Sequence, residues 1–395
     1  MFKGLFDVQT RLAKIDKNGD PLVTLDKAID WEIFRPVLAP LRERERKSAA
    51  GRKPYDVILM FKVLVLQSFY NLSDDRVEQL ILDRLTFMRF LGLCIGDAVP
   101  DAKTIWLFRE SMNANDTARA LFDGFESFLA ENGFQAQKGQ IIDATIVEVP
   151  IQRNTRDENA AIKNGDAEKV RAGWTPDKAA QKDTDARWTK KNNESYFGYK
   201  RHDNTDVGRK LIRSYSVTDA SVHDSKEFKG LLIVDETEGS LPVENVDALL
   251  TTESQIVELS VEATNVDPLT EGVTAESLAV SKVAELPVEP DMAAVYADSA
   301  YRSAEHESLL SSLKLRSHVM RKASRNVKLT EEEKAENRRN SKVRVRVEHV
   351  FGSMRQRMGD TIIRTVGLVR AKTKLGLRAL VYNLDRYAFL VGSIA

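Results

Sequence analysis

Apolar residues recur with a helical period along the first third of the chain. Between Asp56 and Phe69, the residues Val57, Met60, Phe61, Leu64, Val65 and Phe69 share one stripe, which predicts a helix. Ser73-Asp-Asp supplies a cap for the next, through Val77, Leu80, Ile81 and Leu85. A third segment, Thr104 to Leu129, carries Ile105, Leu107, Phe108, Met112, Leu121, Phe122, Phe125 and Leu129. The loop GDAVPDAKT precedes it, and the basic run LRERERKSAAGRK (41–53) stands before all three. Residues 1–136 are therefore expected to form an all-α domain.

The period then changes. QIIDATIVEVP (140–150) is short, β-branched and bounded by a glycine and a proline, which predicts a strand. Residues 151–195 are polar and broken by Gly165, Gly173 and Pro176, and read as a long loop or excursion. Strands are expected over 196–202 and 210–217, joined as a hairpin by the turn residues DNTDVG. A short helix is expected over 224–232, then strands over 292–298 and 316–320, and helices over 343–358 and 375–391. This is a mixed α/β pattern. Residues 231–290 differ from their surroundings: thirteen acidic residues against one basic, and no Phe, Trp or Tyr. NVDAL recurs there as NVDPL, and LPVE occurs twice, a weak sign of duplication. That composition predicts a flexible acidic insertion. The chain thus divides into a helical domain (1–136), a core in two parts (137–230 and 291–395), and the insertion between them.

Composition changes the picture mainly through charge. The 395 residues include 59 Lys+Arg and 59 Asp+Glu, a net charge of zero, whereas a nucleic-acid binder usually carries a basic excess. The sum conceals a division: residues 231–290 carry −12, leaving +12 on the remainder. A single cysteine, Cys94, excludes an internal disulfide and a cysteine-based metal cluster. The first twenty residues lack the apolar stretch of a signal peptide, and the apolar run VILMFKVLVLQSF is cut by Lys62. A soluble, cytoplasmic protein that enters no membrane is expected.

Three carboxylates carry the candidate chemistry. Asp143 lies inside the apolar strand IIDATIV, where a carboxylate costs several kcal/mol unless paired, hydrogen-bonded or metal-bound. A strand-end Asp facing solvent, or one held by a nearby cation, fits equally well. Asp298 ends the strand MAAVYAD, at the end where α/β sheets assemble their sites, although it also suits the N-cap of the next turn. In VRVRVEHVFGSMRQRM, Val343, Val347, Val350, Met354 and Met358 form one stripe, and Arg344, Glu348, Phe351 and Arg355 a neighbouring one. An Arg344–Glu348 ion pair would account for one arginine but not for Arg346, Arg355 and Arg357. Carboxylates converging from strands and a helix could hold two divalent cations, and oxygen-only ligands favour Mg²⁺ or Mn²⁺ over zinc. Two such ions can activate a water or hydroxyl and stabilise the leaving oxygen in phosphodiester displacement.

These residues, in this order, resemble a family. The blocks KPYDVILMFKVLVLQSFYNLSDDRVEQLILDRLTFMRFLGL, IIDATIVEVP, ARWTKKNNESYFGYKRHDNTD, LIRSYSVTDASVHD, VYADSAYRS and RVEHVFGSMR are similar to bacterial insertion-sequence transposases of the DDE class, in the group named after the fifth insertion sequence. The resemblance covers nearly everything except the extreme N-terminus and the 231–290 insertion. It implies a ribonuclease-H-like mixed sheet flanked by helices, preceded by an all-α N-terminal DNA-binding domain. It also implies Asp143, Asp298 and Glu348 as the catalytic, metal-holding triad, with two Mg²⁺ (or Mn²⁺) ions. The implied partners are double-stranded DNA, as terminal inverted repeats and target, and a second copy of the chain. The implied reaction is cleavage of a strand end and attack of its 3′ hydroxyl on target DNA, in a nucleoid-associated setting. Of the family's Tyr-x2-Arg-x3-Glu-x6-Lys pattern, Arg344 and Glu348 are present, Ser341 replaces the Tyr and Arg355 the Lys. Where many members read Asp-x-Gly-Tyr, this chain reads Asp298-Ser-Ala-Tyr301.

Other residues divide between function and packing. Lys200 and His202, expected beside the Asp143 strand, suit phosphate contact or a solvated edge. Arg344, Arg346 and Arg355 suit the DNA backbone, as does the run 314–346, with twelve basic residues against four acidic ones. Trp174 and Trp188 fit anchoring of the excursion better than base stacking. Residues 101–115 are a candidate recognition helix or part of a dimerisation module. His349 and Cys94 read as structural. Besides an active transposase, a catalytically idle DNA-binding relative and a nuclease without strand transfer remain open.

Overall fold

The structure, a computed structural model, describes residues 7–42, 53–136, 139–233, 294–323, 327–359 and 362–394. Most of the basic run 41–53 and nearly all of the acidic insertion expected at 231–290 lie outside them.

Nine of the thirteen residues of the Val57–Phe69 helix are buried, on all sides rather than one, so other helices surround it. Asp56 starts it, its carboxylate accepting the amides of Ile58 and Leu59. Lys62, the charge inside this apolar run, is accommodated because its ammonium pairs with Asp26 at 2.6 Å, donates to the Phe90 carbonyl and lies over the Trp31 ring. The helical segment expected over 104–129 comprises two helices, Ala102–Ser111 and Thr117–Glu131. Asp116 between them adopts φ +46°, a left-handed conformation no continuous α-helix tolerates.

Six strands form one mixed sheet: β1 (Gln140–Glu148), β2 (Arg187–Lys191), β3 (Glu194–Asp206), β4 (Ile212–Asp219), β5 (Ala294–Ala297) and β6 (Arg316–Val319). β3 pairs antiparallel with β2, β4 and β1; β1 then pairs in parallel with β5, and β5 with β6. Helices pack on the sheet, giving the expected mixed α/β architecture of a sheet flanked by helices. β1 alternates between two cores. Ile141 packs with Val207 and Val347 of the Glu331–Met358 helix, and Ile142 packs with Phe228, Tyr301 and Leu310.

Two regions differ from the sequence-based expectation. The 151–195 excursion is not a loop: it holds helices Arg156–Lys163, Ala167–Ala172 and Pro176–Gln181 before β2. A Thr155–Glu158 capping box starts the first of these, and the Glu158 carboxylate collects the Trp174 indole and the Lys178 ammonium. Asp183 ties the excursion down, accepting from the Tyr199 hydroxyl at 2.6 Å and the Gly367 amide at 3.1 Å. Likewise the polar stretch DNTD (203–206) is not a turn but the buried end of β3. Part of its polar surface has partners: Arg201 donates to Asp203, Asn204 donates to Gln140 and the Leu231 carbonyl, and Asp206 accepts the amides of Gly208 and Arg209 in the real turn, while the Thr205 hydroxyl is buried with no hydrogen-bond partner among the described residues.

The C-terminal helix, Leu368–Ile394, joins the two halves. It packs on the Pro21–Ala28, Val57–Phe69 and Thr117–Glu131 helices and also on β4, so one apolar core runs from the N-terminal helices to the sheet. Asn383 stitches the helix to β4, accepting from the Ile212 amide and donating to its carbonyl. Closest approach falls at Gly376, where an added Cβ would meet the Tyr215 hydroxyl at 2.3 Å. Gly376→Ala is expected to destabilise by about 1–3 kcal/mol, read by denaturant unfolding.

A second expectation concerns Glu126, which takes hydrogen bonds from Arg213 and Asn383 at this seam. Burial pushes its carboxyl up to about 7, against 4.5 for a free Glu. A raised folded-state value stabilises fully below 4.5, and that contribution is lost as pH rises through about 7. Unfolding titrations from pH 4 to 8 should therefore show a decline that Glu126→Gln flattens.

Candidate active site

Asp143 and Asp298 are neighbours by register. β1 and β5 pair in parallel up to Ile142 and Ala297, and the two aspartates are the next residue on each strand. Their charges repel, and together with burial this raises the Asp143 carboxyl above its usual range, burial being the larger cause. Arg344 opposes that rise, its guanidinium standing 3.4 Å from the Asp143 carboxylate. The Asp143 carboxylate also accepts the Ala144 amide. Asp298 caps the turn Ser299–Tyr301, accepting the Ala300 amide at 2.6 Å, so the capping role weighed from sequence is real and coexists with its place beside Asp143.

Glu348 rides on the Glu331–Met358 helix, whose buried stripe Val347, Val350, Met354 and Met358 seats it on the sheet, with Val343 partly buried. Glu348 is exposed and lines a cleft of about 510 Å³ with Thr145, Arg201, Arg355 and Arg378. Thr145 lies two residues beyond Asp143 on the same face of β1, and Glu348 lies one helical turn beyond Arg344. Those steps are nearly equal, about 6–7 Å along a strand and about 6 Å along a helix. Arg344 therefore takes the position beside Asp143, and Glu348 the next one along the groove. Among the described residues, no three acids or histidines stand close enough to hold a metal ion together. The Asp143–Asp298 pair alone fits a hard divalent cation, since Mg²⁺ is commonly held by one or two carboxylates and completed by substrate phosphates.

The expected DNA contacts lie apart from one another. Lys200 is half-buried and engaged, pairing with Asp224 at 2.8 Å and donating to the Val222 carbonyl. His202 is fully buried and sits opposite Ala144, hence on the other face of the sheet from Asp143. Its ring bonds the Thr218 hydroxyl, and burial lowers its pKa, so it presents no cation to a phosphate in this arrangement. Arg346 donates to the Val207 carbonyl, and Arg355 is exposed on the cleft wall. Part of the basic run 314–346 serves the protein itself, since Arg321 pairs with Glu333 and Glu336. Trp174 anchors the excursion, whereas Trp188 is 51% exposed against Phe197. Helix Ala102–Ser111 buries Ile105 and Phe108 and exposes Trp106 and Leu107. His349 is exposed beside Lys210, and the Cys94 thiol is exposed.

Three residues that serve the site escaped the sequence reading. Arg378 donates to the carbonyls of Met354, Met358 and Gly359, satisfying the end of the Glu348 helix and opposing its dipole. The buried Arg201–Asp203 pair lies on β3, across from Thr145 and Asp143. Helical spacing in 343–358 could have flagged a need for a C-terminal cap, but only the fold supplies Arg378 from another helix.

Comparison with known proteins follows the same lines. A family model described as "Transposase domain (DUF772)" matches residues 9–111, and one described as "Transposase DDE domain" matches residues 135–240 and 255–384. Among solved structures, a cryo-EM structure of the piggyBac transposase synaptic complex with hairpin DNA is similar at 12% identity and a TM-score of 0.41, over 95% of this chain and 76% of that one. The DDE-domain match spans more than half of the sequence, and on that extent the chain belongs to the DDE transposase family.

Proposed function

We propose that this DDE transposase binds the terminal inverted repeats of its own element as a homodimer or larger assembly, cuts a strand end and joins the freed 3′ hydroxyl to target DNA. The observation that supports it best is the juxtaposition of Asp143 and Asp298 where the parallel pairing of β1 and β5 ends, inside the DDE match. Asp143 and Asp298 would hold divalent cations, Mg²⁺ or Mn²⁺, and Glu348 lines the adjoining groove from the helix above it. Bound there, two such ions would supply a polarised attacking oxygen and stabilise the leaving one.

The chain's own residues do the rest. Burial of Ile141 and Ile142 fixes the strand that carries Asp143, while the Arg344 guanidinium orients its carboxylate and opposes the rise in its pKa that burial causes. Arg355 presents positive charge on the cleft wall beside Glu348, where a phosphate would lie. Arg378 keeps the last turn of the helix in place.

One observation favours a second reading. The Asp143 carboxylate is already paired with Arg344, and Glu348 stands a turn away, as suits a relative that grips DNA without chemistry. A nicking and joining assay separates the readings, using purified protein, Mg²⁺ and duplexes carrying the element's own ends. Nicked and joined products are expected, and chelation with EDTA should abolish both while leaving binding. Asp143→Ala, Asp298→Ala and Glu348→Ala should each cost about 10²-fold or more in rate, the scale of losing one stabiliser of a transition state. Binding without products selects the idle relative, and nicking without joining selects a nuclease.

A further inference from the structure

A second cavity, of about 400 Å³, opens where the N-terminal helices meet the C-terminal helix. Four cations line it, Arg109, Arg364, Lys374 and Arg378, against one acid, Asp74. That acid is spent: both its oxygens take the Arg109 guanidinium, at 2.6 and 2.8 Å, and one also takes the Gln67 amide. Arg378 bonds neutral carbonyls, which satisfy its N–H groups without cancelling its charge. Lys374 is half-buried, and its ammonium makes no hydrogen bond or ion pair to any described residue. Burial and the neighbouring Arg109, Arg378 and Arg364 push its pKa down against the weaker opposing pull of Asp74, as expected of a cation outnumbered by like charges. The Thr365 hydroxyl on the same wall is buried and equally without a partner.

A half-buried ammonium among three guanidiniums is costly unless an anion joins it. Polar groups able to receive one are in place: the Thr365 hydroxyl and the Asn71 side chain. The cavity also has a direction. Ile362 and Arg378 line both it and the Glu348 cleft, so the two share a wall, and cations run from Arg355 through Arg378 to Lys374 and Arg109.

We propose that this seam is a phosphate-binding site, in which Lys374 and Thr365 hold the sugar-phosphate backbone of a DNA strand leaving the Glu348 cleft. The site rests on the DNA-transposase reading and extends it: strand and protein halves are gripped at one point, since Arg109 comes from the N-terminal helices and Lys374 from the C-terminal one. Contact is with the backbone, so it adds affinity at any sequence.

Affinity of the full chain for a duplex carrying the element's end, measured across a salt series, tests this together with melting in phosphate and in chloride at matched ionic strength. Lys374→Met should lower the log–log salt slope by about 0.9, the loss of one phosphate contact, and weaken binding several-fold. Lys374→Arg should restore both, and Thr365→Val should weaken binding with the slope retained. Free Lys374→Met should melt no lower than wild type, because it relieves repulsion among clustered cations. Inorganic phosphate should stabilise wild type and not Lys374→Met. Equal slope and affinity in wild type and Lys374→Met overturn the site alone. So does phosphate stabilisation with unaltered DNA binding, which would make the seam a free-anion site. Affinity that falls only in step with melting overturns it as well, marking a structural lysine. A wild-type chain that fails to bind the duplex overturns the DNA reading itself.

Discussion

A carboxylate inside a sheet, beside a second carboxylate, needs positive charge brought to it, and the catalytic half of this molecule is arranged around that need. Asp143 is held in its place because Ile141 and Ile142, just before it, are sealed into two different cores on opposite faces of the strand. Its neighbour Asp298 is fixed by strand pairing and by capping its own turn. The countercharge must therefore arrive from above, on the Glu331–Met358 helix, and it does so through Arg344. Seating that helix by Val347, Val350 and Met354 also sets where Glu348 and Arg355 point. Once the strand and helix are locked, acids and cations face each other across the groove between them.

The same logic extends outward through the C-terminal helix. Arg378 reaches from it to the exposed carbonyls at the end of the Glu348 helix, while its apolar side continues into the N-terminal helices. The N-terminal region and the sheet consequently share one core, although the sequence changes period near residue 136. Cationic side chains follow this junction from the cleft to the seam at Asp74, which gives the basic surplus of the described halves a path.

Much of this was legible in the sequence where a single physical rule decided it. The stripe Val343, Val347, Val350, Met354 and Met358 predicts a seated helix, and hydrophobic burial enforces it. The β-branched run at 140–148 predicts β1, and an aspartate within it marks a constraint. Where two rules compete, the sequence misleads. DNTD has turn composition, yet it extends β3, because its backbone pairs with β1 and β4 and Gln140, Leu231 and the following turn take up part of its polar side-chain atoms. The polar excursion after Pro150 lacks an apolar stripe, yet it forms three short helices held by caps and by Glu158. His202 reads as a cation beside the site, but strand alternation turns it to the opposite face.

By itself, the sequence determined the mixed α/β class and the division of charge behind a net of zero, and it singled out three acids as candidates. Each of these follows from local periodicity or from residue type. Only the tertiary structure decided that Arg344, not Glu348, stands beside Asp143, and that Lys374 gathers with Arg109, Arg364 and Arg378. Those are meetings between residues hundreds of positions apart or on separate helices. Their energies depend on burial and distance, and neither exists until the chain is packed.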